Sequence, residues 1–323
     1  MNQHAMKYVY ILSSPHGGST LMSLILGRHP EIANLGEVSF IPKLLAMGEL
    51  CTCGDRLSEC AEWAKVFESV QARENVDMRR SPYDFFLGDA IKDKHGTGLV
   101  DHEYQTTQRK ICAKLRGGVE TAGLLAAPTR RILGALTPPA IKTGLANTSR
   151  LYDVTATAWG KRVTVDASKF PRKATQLYVN HPDRMRILHL VRDGRSVVTS
   201  RIKYMTVARA AERWRRYHWL TTSMTLRWVP AADRRQLRFE DFVASPESQL
   251  RALCEWLEID YSSRMIDFSG TQIDHSAGGN PARFRFDEGI KPAHERWRTL
   301  LSKDQLAEFE SIGGALNRQF GYE

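Results

Sequence analysis

The sequence predicts an α/β protein with a central, mostly parallel sheet flanked by helices, and three observations carry that prediction. Tyr8-Val9-Tyr10-Ile11-Leu12 has the pattern of a buried strand and passes through a small polar loop into the apolar run Leu21-Met22-Ser23-Leu24-Ile25-Leu26. Two further strand patterns follow, Arg162 to Asp166 and Arg186 to Val191, and the second leads directly into a helical segment. Strands alternating with helices imply a parallel sheet, and 323 residues supply one large core, so a single domain over 1–323 is expected.

In chain order, the first strand ends at Ser13 after five apolar residues, too few for the core of a secretory signal. The chain is therefore expected to begin near Met1 and to be cytoplasmic. Ser13 to Thr20 forms the loop, and the helix behind it ends at Gly27-Arg28-His29-Pro30. The region from about 41 to 159 reads as amphipathic helices and loops, a helical insertion over the sheet's ligand edge. A helix from Ser196 to about Lys203, a long helix from Val207 to Val229 and a short strand from Gln236 to Phe239 complete the pattern. Pro246 to Leu257 reads as a helix that Ser245 caps. Trp214, Trp219 and Trp228 on the long helix read as core packing.

The balance of 46 Lys+Arg against 36 Asp+Glu gives +10 and asks for an anionic partner. The basic residues are interspersed with acidic ones and no nucleic-acid module is present, so a phosphorylated small molecule is favoured over a nucleic acid. The weakly charged stretch from Ala122 to Ile141 is broken by Pro128, Arg130, Arg131 and Pro138-Pro139, so no transmembrane segment is expected. Five cysteines, an odd number, argue against a disulfide framework and for free thiols. Cys51, Cys53 and Cys60 cluster, but no fourth Cys or His lies near them in sequence, and no metal is expected.

The loop carries the chemistry. Gly17 and Gly18 let the backbone approach a ligand, converging amides and the following helix N-terminus favour a phosphate, and Ser13, Ser14, Ser19 and Thr20 add hydroxyl donors. A tight structural turn is the alternative. A Walker A motif needs Gly-Lys-Ser/Thr, and no Lys occurs between Ser13 and Met22, which disfavours ATP or GTP hydrolysis. Arg192 at a strand end and Ser200 on the next helix are placed to grip one phosphate together, although each taken singly also fits an ion pair or a surface position.

Together these segments resemble the sulfotransferases that use 3′-phosphoadenosine 5′-phosphosulfate (PAPS). Ser14-Pro15-His16-Gly17-Gly18-Ser19-Thr20-Leu21 looks like that family's 5′-phosphosulfate loop, and Leu190 to Ser200 looks like its 3′-phosphate motif. Cys51-Thr52-Cys53-Gly54 with Cys60 and Trp63, Val165 to Lys169, Leu237 to Phe242, and Gly279-Asn280-Pro281-Ala282-Arg283-Phe284 resemble pieces of its bacterial branch. The resemblance implies a P-loop, nucleotide-kinase-like fold in which Ser14, Pro15, Gly17, Gly18, Ser19 and Thr20 hold the phosphosulfate while Arg192 and Ser200 hold the 3′-phosphate.

By the same resemblance, Glu37 is the general base, as in tyrosylprotein and glycan sulfotransferases, and Arg283 and Arg285, with Lys291 nearby, close over the nucleotide. His16 occupies a position that is usually Lys or Arg in the family, and as a second catalytic candidate it donates a hydrogen bond even when neutral. The expected reaction is transfer of a sulfuryl group to a hydroxyl or amine of a glycan, lipid or small metabolite. A non-catalytic nucleotide-binding protein of the same fold and a small-molecule kinase are the alternatives.

Overall fold

Strand β1 (Lys7–Leu12) runs through the middle of the sheet, and its residues alternate between two cores. Tyr8, Tyr10 and Leu12 face one side, Val9 and Ile11 the other, which is why the run carries no polar face. The computed structural model describes residues 6–85, 87, 91–92, 99–100, 137, 139–269, 274–293 and 295–323. Around β1 lie β2 (Ile32–Gly36), β3 (Val163–Asp166), β4 (Met185–Val191) and β5 (Arg234–Arg238), all parallel, in the order β2-β3-β1-β4-β5. A separate antiparallel pair joins Ile91–Lys92 to Leu99–Val100.

Helices cover both faces, as a parallel sheet requires. On the Tyr8 face pack α2 (Ala61–Glu74), α3 (Pro139–Ala158) and α4 (Pro171–Asn180), with Trp63, Phe67, Leu151, Tyr152 and Tyr178 all fully buried. On the Val9 face pack α1 (Ser19–Gly27) and α7 (Pro246–Leu257), through Met22, Ile25, Leu26, Leu250 and Leu253. A third core gathers α5 (Gly194–Arg201), α6 (Val207–Leu220) and α8 (Lys303–Phe309) around Trp214, Phe309 and Phe320.

The expected fold class is the observed one, with differences in detail. Strand β2 was not expected, because Ile32-Ala33-Asn34-Leu35-Gly36 has only one β-branched residue and takes its extended form from pairing with β3. Strand β5 begins two residues earlier than expected and stops at Arg238, so that Phe239 opens a short helix, Phe239–Ala244. The long helix is α6 followed by a π-helical turn, Thr221–Thr225, and a last turn ending at Trp228. Ser245 makes no side-chain cap to α7, whose start is set by Pro246 in the first turn. Trp214 is fully buried, but Trp219 is exposed, because only one face of α6 meets the core. Much of the expected helical insertion, 101–136, lies outside the described residues.

A buried histidine pair links β4 to α6: His189 Nε2 and His218 Nδ1 lie 2.9 Å apart, and both side chains are fully buried. Burial pushes the His189 imidazole down to about 3 and His218 well below its ordinary range. Both are thus neutral in the folded chain and would protonate near 6.5 once unfolded. Their contribution is fully present above that value and is lost as pH falls towards 3, by at most about 1.4 kcal/mol per pH unit for each histidine. Urea midpoints are expected to fall between pH 7 and pH 4.5, and to fall less steeply in His189→Phe/His218→Leu. Equal slopes for the two proteins would exclude the pair as the cause.

Candidate functional site

Every strand of the sheet delivers a residue of interest just past its C-terminal end, where α/β sheets bind ligands. The loop 13–18 follows β1, Glu37 follows β2, Lys169 lies three residues past β3, Arg192 follows β4 and Phe239 follows β5. The loop turns on itself through a hydrogen bond from Gly17 N to Ser14 O at 2.9 Å. It then enters α1 through Gly18, whose φ of 95° and contact with Phe239 exclude a side chain. His16, also at positive φ, is exposed and faces the cleft.

The loop forms the floor of a cleft with two adjoining chambers, about 400 and 750 Å³. The smaller is lined by Pro15, His16, Gly18, Ser19 and Thr20, with Lys169, Arg192, Ser200 and Phe239 around them and Asn280 opposite. The larger adds Ser196, Lys203, Lys291, Arg296 and Trp297. No described residue lining either chamber is acidic. The cleft therefore holds a net positive potential that selects an anion.

The groups on the cleft wall are held from behind. Arg192 donates from Nη1 to His16 O at 3.1 Å, and its guanidinium packs 4.7 Å from the centre of the Phe239 ring. Its Nε and the Ser14 hydroxyl are buried without a hydrogen-bond partner among the described residues. The next residue, Asp193, caps α5 through Arg195 N at 2.9 Å and accepts from Asn317 Nδ2 at 3.2 Å. Ser200 Oγ donates to its own helix at Ser196 O, 3.1 Å away, a bond it can exchange for a ligand oxygen.

Glu37 and Lys169 form an ion pair in which both side chains are largely buried. Lys169 reaches the small chamber, while Glu37 stands one residue behind it. The turn that aims Lys169 is built by Asp166, which accepts from Ser168 N at 2.7 Å and from Tyr152 Oη at 2.6 Å. Burial pushes the Asp166 carboxyl above its ordinary value, opposed by Lys173, Ser168 and Tyr152. Tyr217 Oη donates to Lys169 O at 2.9 Å and fixes the turn's end. His16 is pushed below its ordinary value by desolvation in the cleft, then by Arg201, Arg192, Lys169 and Lys203. It is therefore a neutral imidazole at pH 7, and Lys169 and Arg192 supply the charge.

A strap over residues 274–283 closes the remaining side. Ala277 pairs with Gly36, Glu37 N donates to Ala277 O at 2.7 Å, and Asn280 N donates to Thr20 Oγ1 at 3.2 Å. Gly36 has φ 74°, and a Cβ there would fall 2.1 Å from Ala277 O, so only glycine admits the strap.

Residues 9–263 match a family model described as "Sulfotransferase family". The chain belongs to that sulfotransferase family. The sulfotransferase domain from the Synechococcus PCC 7002 olefin synthase is 21% identical, covers 99% of this chain and 97% of its own, and superposes with a TM-score of 0.55. The sulfotransferase domain from the curacin biosynthetic pathway is 16% identical over 99% of each chain, with a TM-score of 0.51. At these identities the likeness is one of fold. No curated protein matches the sequence significantly.

In this sulfotransferase the fold brings Pro15, Gly18, Ser19, Thr20, Arg192 and Ser200 together around one chamber, with Ser14 and Gly17 forming the loop beneath. Arg283, expected to close over a nucleotide, is buried in the strap, where it donates to Gly279 O at 2.9 Å and pairs with Glu49 at 3.7 Å. The Arg285 side chain lies outside the described residues. Lys169, Phe239, Lys203 and Arg296 were not singled out from the sequence. Lys169 stood in a quoted segment, Val165 to Lys169, and its position directly past a strand was the available signal.

Proposed function

We propose that this sulfotransferase takes its sulfuryl group from PAPS and passes it to a hydroxyl or amine of a glycan, lipid or small metabolite. The observation that carries the reading is a cleft with no acidic residue among its described lining, in which loop amides, Lys169, Arg192 and Ser200 converge past the strand ends. The small chamber suits the 5′-phosphosulfate, against the α1 N-terminus and the Ser14, Ser19 and Thr20 hydroxyls. Arg192, Ser200 and Lys203 suit the 3′-phosphate, and the aromatic walls at Phe239 and Trp297 suit a base.

Transfer then proceeds in line. The acceptor oxygen or nitrogen forms a bond to sulfur as the bond from sulfur to the bridging phosphate oxygen breaks, and the acceptor proton passes to Glu37. Lys169 leaves Glu37 for the anionic donor, which neutralises charge on the departing phosphate and frees the carboxylate to act as base. Neutral His16 donates a hydrogen bond to the sulfuryl or bridging oxygen. The charge that the family's usual Lys or Arg supplies at that position comes here from the end of β3.

Calorimetric titration with 3′-phosphoadenosine 5′-phosphate tests this directly. Binding is expected to be tight and ATP binding weak, and Arg192→Ala should weaken the bisphosphate by about 10- to 150-fold, the worth of a charged hydrogen bond. A wild-type protein that ignores the bisphosphate would sink the reading.

A further inference from the structure

Cys51, Cys53 and Cys60, which lacked a fourth partner in the sequence, acquire one from 215 residues further along the chain. Cys60 Sγ lies 3.3 Å from His275 Nδ1, Cys53 Sγ lies 3.6 Å from Cys60 Sγ, and Cys51 Sγ lies 4.0 Å from His275 Nδ1. All four ligand atoms fall within 4.8 Å of one another. We propose that Cys51, Cys53, Cys60 and His275 bind one Zn²⁺ in a closed tetrahedral site that anchors the strap.

The geometry fits one ion of that size. With bonds of about 2.3 Å to sulfur and 2.0–2.1 Å to nitrogen, a regular tetrahedron separates two sulfurs by about 3.8 Å and sulfur from nitrogen by about 3.6 Å. The three spacings given above lie within about 0.4 Å of these, and the remaining pairs fall within 4.8 Å. Three thiolates and one imidazole form a recognised structural zinc set, and soft sulfur ligands exclude calcium and magnesium. An iron–sulfur cluster spreads its ligands over several iron atoms, and four ligand atoms this close together cannot surround one.

The surroundings are built for a fixed ligand set. Cys51 N donates to Asp55 O at 2.9 Å and Gly54 N to Cys51 O at 3.0 Å, a tight knuckle that turns Cys51 and Cys53 to one side. Cys60 precedes α2 directly and, like Cys51, is fully buried. Thr52, between the first two cysteines, donates to Asp274 O at 2.6 Å and accepts from Ser276 N at 2.9 Å, which clamps the strap on both sides of His275. Trp63 Nε1 donates to His275 O at 2.5 Å. With four protein ligands no coordination position stays open, so the ion is structural and takes no part in transfer. Its place is two residues before Ala277, where it would tie the knuckle to the segment that holds Glu37 N and Thr20.

The site stands whether or not PAPS is the donor, and its test needs no substrate. Protein purified from zinc-supplemented cells and dialysed is expected to carry one zinc per chain by elemental mass spectrometry. A mercurial thiol reagent should release it, and Co²⁺ in its place should give thiolate-to-cobalt charge-transfer and tetrahedral visible bands. Cys53→Ser, at the half-exposed ligand least coupled to the core, and His275→Gln should drop zinc to near zero, with Cys254→Ala still at one. Folded wild-type chain without zinc overturns the proposal, whether all five thiols titrate after denaturation or two have closed into a disulfide.

Discussion

Glu37→Gln is expected to cut turnover by about 10²- to 10⁴-fold while bisphosphate affinity stays within about twofold, the signature of a lost general base. The amide keeps the shape and a hydrogen bond to Lys169 but cannot accept the acceptor's proton. Glu37 is not among the residues lining the chambers, so ground-state binding has little reason to change. Lys169→Ala should instead lower both turnover and affinity, since that side chain lines the small chamber. Single-turnover rates with a chromogenic acceptor, beside calorimetry, separate the two cases. If Glu37→Gln keeps more than about a third of wild-type turnover, Glu37 is only the counter-ion that holds Lys169 in place.

Gly18→Ala carries the second large effect. A methyl there would sit 2.3 Å from Phe239 Cδ2 while the backbone is held at φ 95°, so the ring must move or the loop must unwind. Strain of about 1–2 kcal/mol at a left-handed position and about 1–3 kcal/mol from overpacking would fall on the floor of the cleft. Because the same ring supports the Arg192 guanidinium, the shift reaches both the loop and the end of β4. Bisphosphate affinity should fall by at least about 30-fold with the fold retained, taking some 2 kcal/mol as the minimum. Gly18→Ala/Phe239→Leu should recover part of it. Unchanged affinity in Gly18→Ala would mean that the loop adapts and that Phe239 does not brace the site.

The sequence disclosed what local chemistry determines. A Gly-Gly pair flanked by hydroxyls between a strand and a helix reads as an anion loop from the eight residues Ser13 to Thr20, and Arg192 with Ser200 needs only one strand and about two helical turns. Long-range determinants stayed hidden. Strand β2 is extended because β3 and the strap flank it, a fact that Ile32 to Gly36 do not carry in their side chains. Lys169 acquires its position from the buried Asp166 turn, and His275 reaches three cysteines only once the strap has docked. The ion pair of Arg283 with Glu49 likewise joins segments far apart in the chain.

The docking of Ala277 beside Gly36 also bears on how the chain avoids sticking to copies of itself. A parallel sheet leaves two outer strands whose backbone groups invite pairing by any passing extended segment. At the β2 border the strap occupies the C-terminal end of that ladder, with Ala277 N bonded to Leu35 O and Glu37 N bonded to Ala277 O. At the β5 border the strand is only five residues long and begins Arg234-Arg235, charges that resist burial against an incoming strand. The segment that closes the cleft thus also blocks aggregation through the sheet border nearest to it, so loosening it would threaten solubility as well as ligand binding.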